Sequence, residues 1–265
     1  MRLYVHEWGD RAAPPLVALH GVSGSSFTFA RLARRLEDRY RIIAPDLRGH
    51  GLSEKDPPWD IPTHLADIVE TLDAAGVGGA PVMGFSFGGR LALELAARHP
   101  ARVERLILLD PALQMPPGPA RASADAVRND ASWESIEQAI ADRRATGIAP
   151  YAPQEFWDDW AQSLVAGDDG RIRWRADRSA VVTIYSEMVT APPSFALCRV
   201  PTLLVTGAES QLVQPAQIAA YEAALGELLV VRSVKAKHQV IGDALDEVHP
   251  AVLELLQRPL DGYPT

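Results

Sequence analysis

Apolar residues along this chain fall mainly in short unbroken runs, separated by longer stretches with helical spacing. Leu16–Leu19, Arg41–Ala44, Pro81–Gly84, Val103–Leu109, Thr202–Thr206 and Leu228–Val234 read as strands. Because the runs are continuous rather than alternating, these strands are expected to be buried on both faces. Phe27–Leu36, Thr63–Ala75, Gly88–Arg98, Pro215–Leu225 and Leu245–Leu256 read as helices. In the second of them Leu65, Ile68, Val69 and Leu72 share a face, and Thr63 is placed to cap. Pro215 suits the first turn of its helix. Strands and helices alternate, which predicts an α/β protein with a mostly parallel sheet and helices on both faces. Tyr4–Trp8 is expected to add an antiparallel edge strand.

The alternation breaks between Ala112 and Arg199. This stretch carries Pro116-Pro117-Gly118-Pro119, then Trp133, Trp157, Trp160 and Trp174, with helix-like spacing over Ser135–Arg144 and Gln154–Leu164. Set between two sheet strands, it reads as a lid. The expected division is therefore a core of residues 1–111 and 200–265 and a helical lid of residues 112–199.

Composition narrows the function classes. The 265 residues are 47% hydrophobic and 23% charged, ordinary for a soluble globular chain, and the net charge is −8. No basic stripe is available to neutralise phosphates, so no nucleic-acid partner is expected. No apolar run is long enough to span a bilayer and no apolar leader opens the chain, so a cytoplasmic protein without a membrane partner is expected. The one cysteine, Cys198, excludes an internal disulfide and reads as a small buried hydrophobe. No H-E-x-x-H or paired Cys/His ligand set is present, so neither metal nor cofactor is expected.

Gly84-Phe85-Ser86-Phe87-Gly88 matches G-x-S-x-G between a predicted buried strand and a predicted helix. In that setting the turn is so tight that the nucleophile takes strained backbone angles and the residues two before and two after must be small. Ser86 Oγ then points outward at the carboxyl end of the strand, beside the free N–H groups of a helix N-terminus. An oxyanion needs two donors; the Phe87 N–H is one candidate. The Val22 N–H, in His20-Gly21-Val22-Ser23-Gly24 after the first buried strand, is the second. His20 reads as a loop-holding residue. Phe85 and Phe87 flank the nucleophile and are placed to touch substrate. Among seven histidines, His238 stands four residues after the last predicted strand and just before the last helix.

These pieces, with Pro45-Asp46-Leu47-Arg48-Gly49-His50-Gly51-Leu52-Ser53, Leu106–Asp110 and Pro201–Gly207, resemble the α/β-hydrolase superfamily over nearly all the chain outside the lid. The resemblance implies an eight-stranded sheet, a lid inserted after the sixth strand, and a triad in the order Ser, acid, His, with Ser86 as nucleophile and His238 as base. The Asp46–Ser53 loop is architectural in that family. The usual Gly-x-x-Asp for the acid is absent: Gly207-Ala208-Glu209-Ser210 puts serine in its place. Some members, certain haloalkane dehalogenases among them, carry the acid directly after the strand that here is Leu106–Leu109. That favours Asp110, with Glu209 as the alternative.

The expected activity is hydrolysis of a carboxylic ester or related acyl bond in a small molecule through an acyl-enzyme. C–C bond hydrolysis, lactone hydrolysis and cofactor-free perhydrolysis are alternatives on the same triad, and a non-catalytic ligand-binding protein is a further one. Serine at 86 argues against haloalkane dehalogenases and epoxide hydrolases, which use aspartate there. The oligomeric expectation is a monomer or homodimer.

Overall fold

A computed structural model describes residues 1–128 and 132–259. Seven strands form one sheet: β1 (Val5–Trp8), β2 (Pro15–Leu19), β3 (Arg41–Pro45), β4 (Ala80–Phe85), β5 (Val103–Leu109), β8 (Thr202–Gly207) and β9 (Leu229–Val234). Their order is β1-β3-β2-β4-β5-β8-β9, and only the edge pair β1–β3 is antiparallel. Every residue of β4 and of β8 is buried, as expected of strands covered on both faces.

Side chains alternate between two cores across the sheet. Val17, Leu19, Leu106 and Leu108 join helices α2 (Ile61–Ala74), α3 (Phe87–Arg98) and α8 (Pro215–Leu225). Leu16, Ala18, Ile107 and Leu109 join α1 (Ala30–Leu36) and α10 (Leu245–Gln257) on the other face. The helices after β2 and β4 thus lie on opposite faces. The loops that follow these neighbouring strands must part, which opens a crevice at the carboxyl edge of the sheet.

The eight strands implied by the family resemblance are not found; the sheet has seven among the described residues. The residues ahead of β1 bond side chains of α2 instead of extending the sheet: Leu3 N–H donates to Thr71 Oγ1, and the Met1 amine donates to Asp67 and Glu70. For the same reason the insertion follows the fifth strand, not the sixth. Two helix starts also differ. Asp60, not Thr63, caps α2 by accepting the Thr63 N–H, with Pro62 in the first turn. Ser26–Phe29 forms a 3-10 turn, so α1 begins only at Ala30.

Between β5 and β8 lie α4 (Pro117–Arg128), α5 (Ile136–Ala145), α6 (Gln154–Trp160) and α7 (Arg178–Glu187). A short hairpin of β6 (Leu164–Ala166) and β7 (Ile172–Trp174) turns at Asp168-Asp169, so Leu164 belongs to a strand and not to the preceding helix. Trp157 is buried with Ala149 and Phe156 in a small core of this insertion. Both roots of the insertion are tied to α3 by one buried side chain. Arg90 donates to the Leu113 carbonyl at 2.5 Å and to the Thr190 and Ala191 carbonyls at 3.0 and 2.9 Å, and it pairs with buried Glu94. Cys198 is buried, and burial pushes its thiol up to about 12, which leaves little nucleophilic thiolate at neutral pH. Among the described residues no helix is long and apolar enough to cross a membrane.

Candidate active site

Ser86 sits between β4 and α3 with φ 55° and ψ −121°, a backbone cost of about 1–3 kcal/mol for a non-glycine residue. The conformation is held on three sides. Ser86 N–H donates to the Leu109 carbonyl at 3.2 Å, while its own carbonyl accepts from Ala112 and Gly89, each at 3.0 Å. A side chain at position 84 would run into the Gly88 backbone, and one at 88 into the backbone of Leu19 and His20. That is why this turn needs both glycines.

Ser86 Oγ lies 3.0 Å from His238 Nε2, and His238 Nδ1 lies 2.8 Å from Asp110 Oδ2. Asp110 is fully buried at the end of β5 in a left-handed conformation, φ 42°. An aspartate tolerates that region better than most residues. Its carboxylate also accepts the Gly207 N–H on Oδ1 at 3.1 Å and the Ser210 hydroxyl on Oδ2 at 2.7 Å. Ser210, the residue standing where the family usually has its acid, thus holds the carboxylate that comes from β5. Glu209 points elsewhere: it is exposed and accepts the Tyr151 hydroxyl at 2.8 Å.

Phe85 stacks on the His238 ring, centroids 4.7 Å apart and planes 25° apart, and it lines the void beside the serine. The Phe87 side chain turns the other way. It is buried edge-on to His64, so its backbone alone faces the crevice. The loop after β2 closes against Ser86: a Cβ on Gly21 would come 2.8 Å from Ser86 Cβ. Among the described residues the Val22 and Phe87 N–H groups bond no other protein group.

His20, read from the sequence as a loop-holding residue, and His50 hold this loop. His20 Nε2 accepts the Leu47 N–H at 2.9 Å, which makes Nδ1 the protonated nitrogen facing the Gly21 carbonyl at 2.8 Å. His50 Nε2 accepts the Ser23 N–H at 3.3 Å. Asp46 anchors the next loop, accepting Ser26 N–H at 2.7 Å and Leu52 N–H at 2.8 Å. His64 has both ring nitrogens enclosed without a hydrogen-bond partner, and burial brings it down from 6.5 to about 4.

That shift has a stability consequence. Between pH 6.5 and about 4 the unfolded chain takes up the His64 proton and the folded chain does not. The folded state is therefore fully favoured above 6.5 and loses roughly 1.4 kcal/mol per pH unit for this group as pH falls through the window. The melting temperature should drop on acidification over that range, and His64→Leu should flatten the drop by about one proton. Equal slopes for the two proteins would show that His64 titrates normally.

Two voids adjoin the site under the insertion. A narrow one of about 50 Å³ is lined by Gly21, Val22, Phe85 and Trp160, and a wide one of about 890 Å³ by Trp133, Val181 and Tyr185. They share Val22, Ser23, Arg143 and Trp174. The wide void is of a size that accepts a small organic ligand.

A family model described as alpha/beta hydrolase fold matches residues 14–135. Lipase LipV of Mycobacterium tuberculosis is 33% identical over 194 residues, 72% of this chain and 74% of that protein. The 2-(acetamidomethylene)succinate hydrolase of Mesorhizobium japonicum is 29% identical, covering 94% of this chain and 88% of its own. A crystal structure of E-2-(acetamidomethylene)succinate hydrolase superposes with a TM-score of 0.84 at 26% identity over 97% of this chain and 95% of that one. With a mostly parallel sheet, a strained serine on the turn after its central strand and relatives that match across the insertion, this chain belongs to the α/β-hydrolase family and is a hydrolase.

Proposed function

We propose that the protein cleaves a carboxylic ester or related acyl bond of a small molecule through an acyl-enzyme on Ser86. The observation that carries this reading is the unbroken hydrogen-bonded chain Ser86–His238–Asp110, beside a loop whose Val22 and Ser23 also line the ligand-sized void. His238 Nε2 takes the proton from Ser86 Oγ as the oxygen attacks the carbonyl carbon. The carbonyl π electrons move to oxygen, and the Val22 and Phe87 N–H groups receive that charge. Collapse of the tetrahedral species expels the alcohol, which leaves with the proton from His238. Water then loses a proton to His238, attacks the acyl carbon and releases the acid, restoring Ser86. Buried Asp110 keeps the imidazole in the tautomer with Nδ1 protonated and stabilises the imidazolium. Phe85 stacks on the histidine and limits its ring motion. Residues 112–199 act as the lid, with Trp160 and Trp174 forming an apolar wall.

The relatives leave room for a second bond type, since one is a lipase and another hydrolyses 2-(acetamidomethylene)succinate. The same acyl-enzyme serves an ester, a lactone or an acylated enamine; C–C hydrolysis or perhydrolysis would need steps no contact here singles out. The test is turnover of short-chain p-nitrophenyl esters with parallel labelling by a fluorophosphonate. We expect turnover and a single adduct on the peptide carrying Ser86. A folded protein giving neither would sink the acyl-enzyme reading and favour a ligand-binding role.

A further inference from the structure

Arg143 has an unusual position for a cation. It projects from α5 into the partition shared by the two voids, and its Nε is fully enclosed with no hydrogen-bond partner. No carboxylate pairs with its guanidinium among the described residues; it lies over Trp174, with the ring centroid 5.9 Å from Cζ, and near Tyr185. Burial pushes it below its usual value, as expected of a charge partly taken from water without compensation. The charged groups around the narrow void sharpen the point. Its one carboxylate, Asp159, is already held by Arg34 through two bonds of 2.8 Å. Arg31, also on the wall, donates only to the Ile241 and Gly242 carbonyls. In a chain of net charge −8, the void beside the serine is therefore lined by two arginines, and among the described residues no carboxylate bonds the guanidinium of Arg143.

A partly desolvated guanidinium without a carboxylate partner costs stability, and the contact with one ring offsets only part of that. A guanidinium fork also matches a carboxylate in two parallel hydrogen bonds. We propose that the substrate carries a carboxylate remote from the scissile bond, and that Arg143 binds it at the junction of the two voids while the reacting carbonyl lies against Val22 and Phe85. This deepens the acyl-hydrolase reading and rests on it for the identity of the reacting end. The carboxylate itself can lie on the acyl side or on the alcohol side of the ester.

The experiment compares monomethyl glutarate with the methyl ester in which an isopropyl group replaces the carboxylate, and 4-acetoxybutanoate with its isopropyl counterpart. In the wild type, one member of the acidic pair is expected to exceed its neutral isostere by at least about 10-fold in kcat/KM. Which pair shows the preference locates the carboxylate. Arg143→Met should cut that preference by about 10- to 100-fold, mainly through KM, and Arg143→Lys should restore part of it. The Arg143→Met protein should melt no lower than wild type, which a purely structural arginine would not allow. Glutarate alone, followed by tryptophan fluorescence, should bind wild type and not Arg143→Met. Equal turnover of acidic and neutral esters, or an equal loss on both in Arg143→Met, overturns the anion site while leaving the hydrolase reading intact. Arginine-dependent glutarate binding with no ester cleavage and no labelling of Ser86 does the reverse.

Discussion

Ser86→Ala is expected to lower kcat on a short-chain p-nitrophenyl ester by about 10⁶-fold, close to the loss of the whole triad. When nucleophile and base act as a unit, removing the nucleophile forfeits nearly all of what the unit supplies. A residual rate of about 10³–10⁴ over water should survive, because the backbone donors and the binding surface remain. The geometry predicts a clean result. Ser86 Oγ has one side-chain partner, His238 Nε2 at 3.0 Å, so alanine strands no second buried group. The strained φ of 55° persists with alanine, since the bonds holding it come from Leu109, Gly89 and Ala112 backbone. Melting temperature should therefore move little while kcat collapses. A variant that kept more than a few per cent of wild-type kcat would mean that Ser86 is not the nucleophile.

Asp110→Asn should cost about 10⁴-fold in kcat, the loss expected when the imidazole is left in the wrong tautomer. The carboxylate receives three donors: His238 Nδ1, the Ser210 hydroxyl and the Gly207 N–H. An amide can accept on its oxygen only. Its NH₂ must then face either the Gly207 N–H or the histidine and serine, and turning it toward His238 requires an unprotonated Nδ1. That places the proton on Nε2, where it cannot take one from Ser86. Glu209→Gln should change kcat/KM by less than about twofold, because Glu209 is exposed and engaged with Tyr151, and glutamine can still accept that hydroxyl. The reverse ranking of the two variants would move the acid to Glu209.

Much of the architecture is legible because a parallel sheet covered on both sides leaves continuous apolar runs. Leu16–Leu19, Arg41–Ala44 and Thr202–Thr206 each lie within a residue of an observed strand. Helix ends are less legible, since capping depends on one local hydrogen bond. Asp60 lies three residues upstream of the expected cap, and the prolines at 117 and 119 look like breakers yet open α4, where the first turn tolerates them. The β6–β7 hairpin gives only three residues per strand, too few for a period to register.

The sequence by itself determined the strand–helix alternation, the serine on a turn that requires glycine at 84 and 88, and His238 as the histidine after the last strand. Each is a local property: burial on both faces, a steric need two residues away, a place along the chain. The choice between Asp110 and Glu209 is not local. Asp110 meets Ser210 across 100 residues and His238 across 128, and only the parallel alignment of β5, β8 and β9 brings their carboxyl ends together. Arg143 is likewise one of many surface-like arginines in sequence. Only the packing of the insertion over the crevice encloses its Nε and leaves it without a hydrogen-bond partner among the described residues, because whether a charge is paired depends on what the fold places beside it.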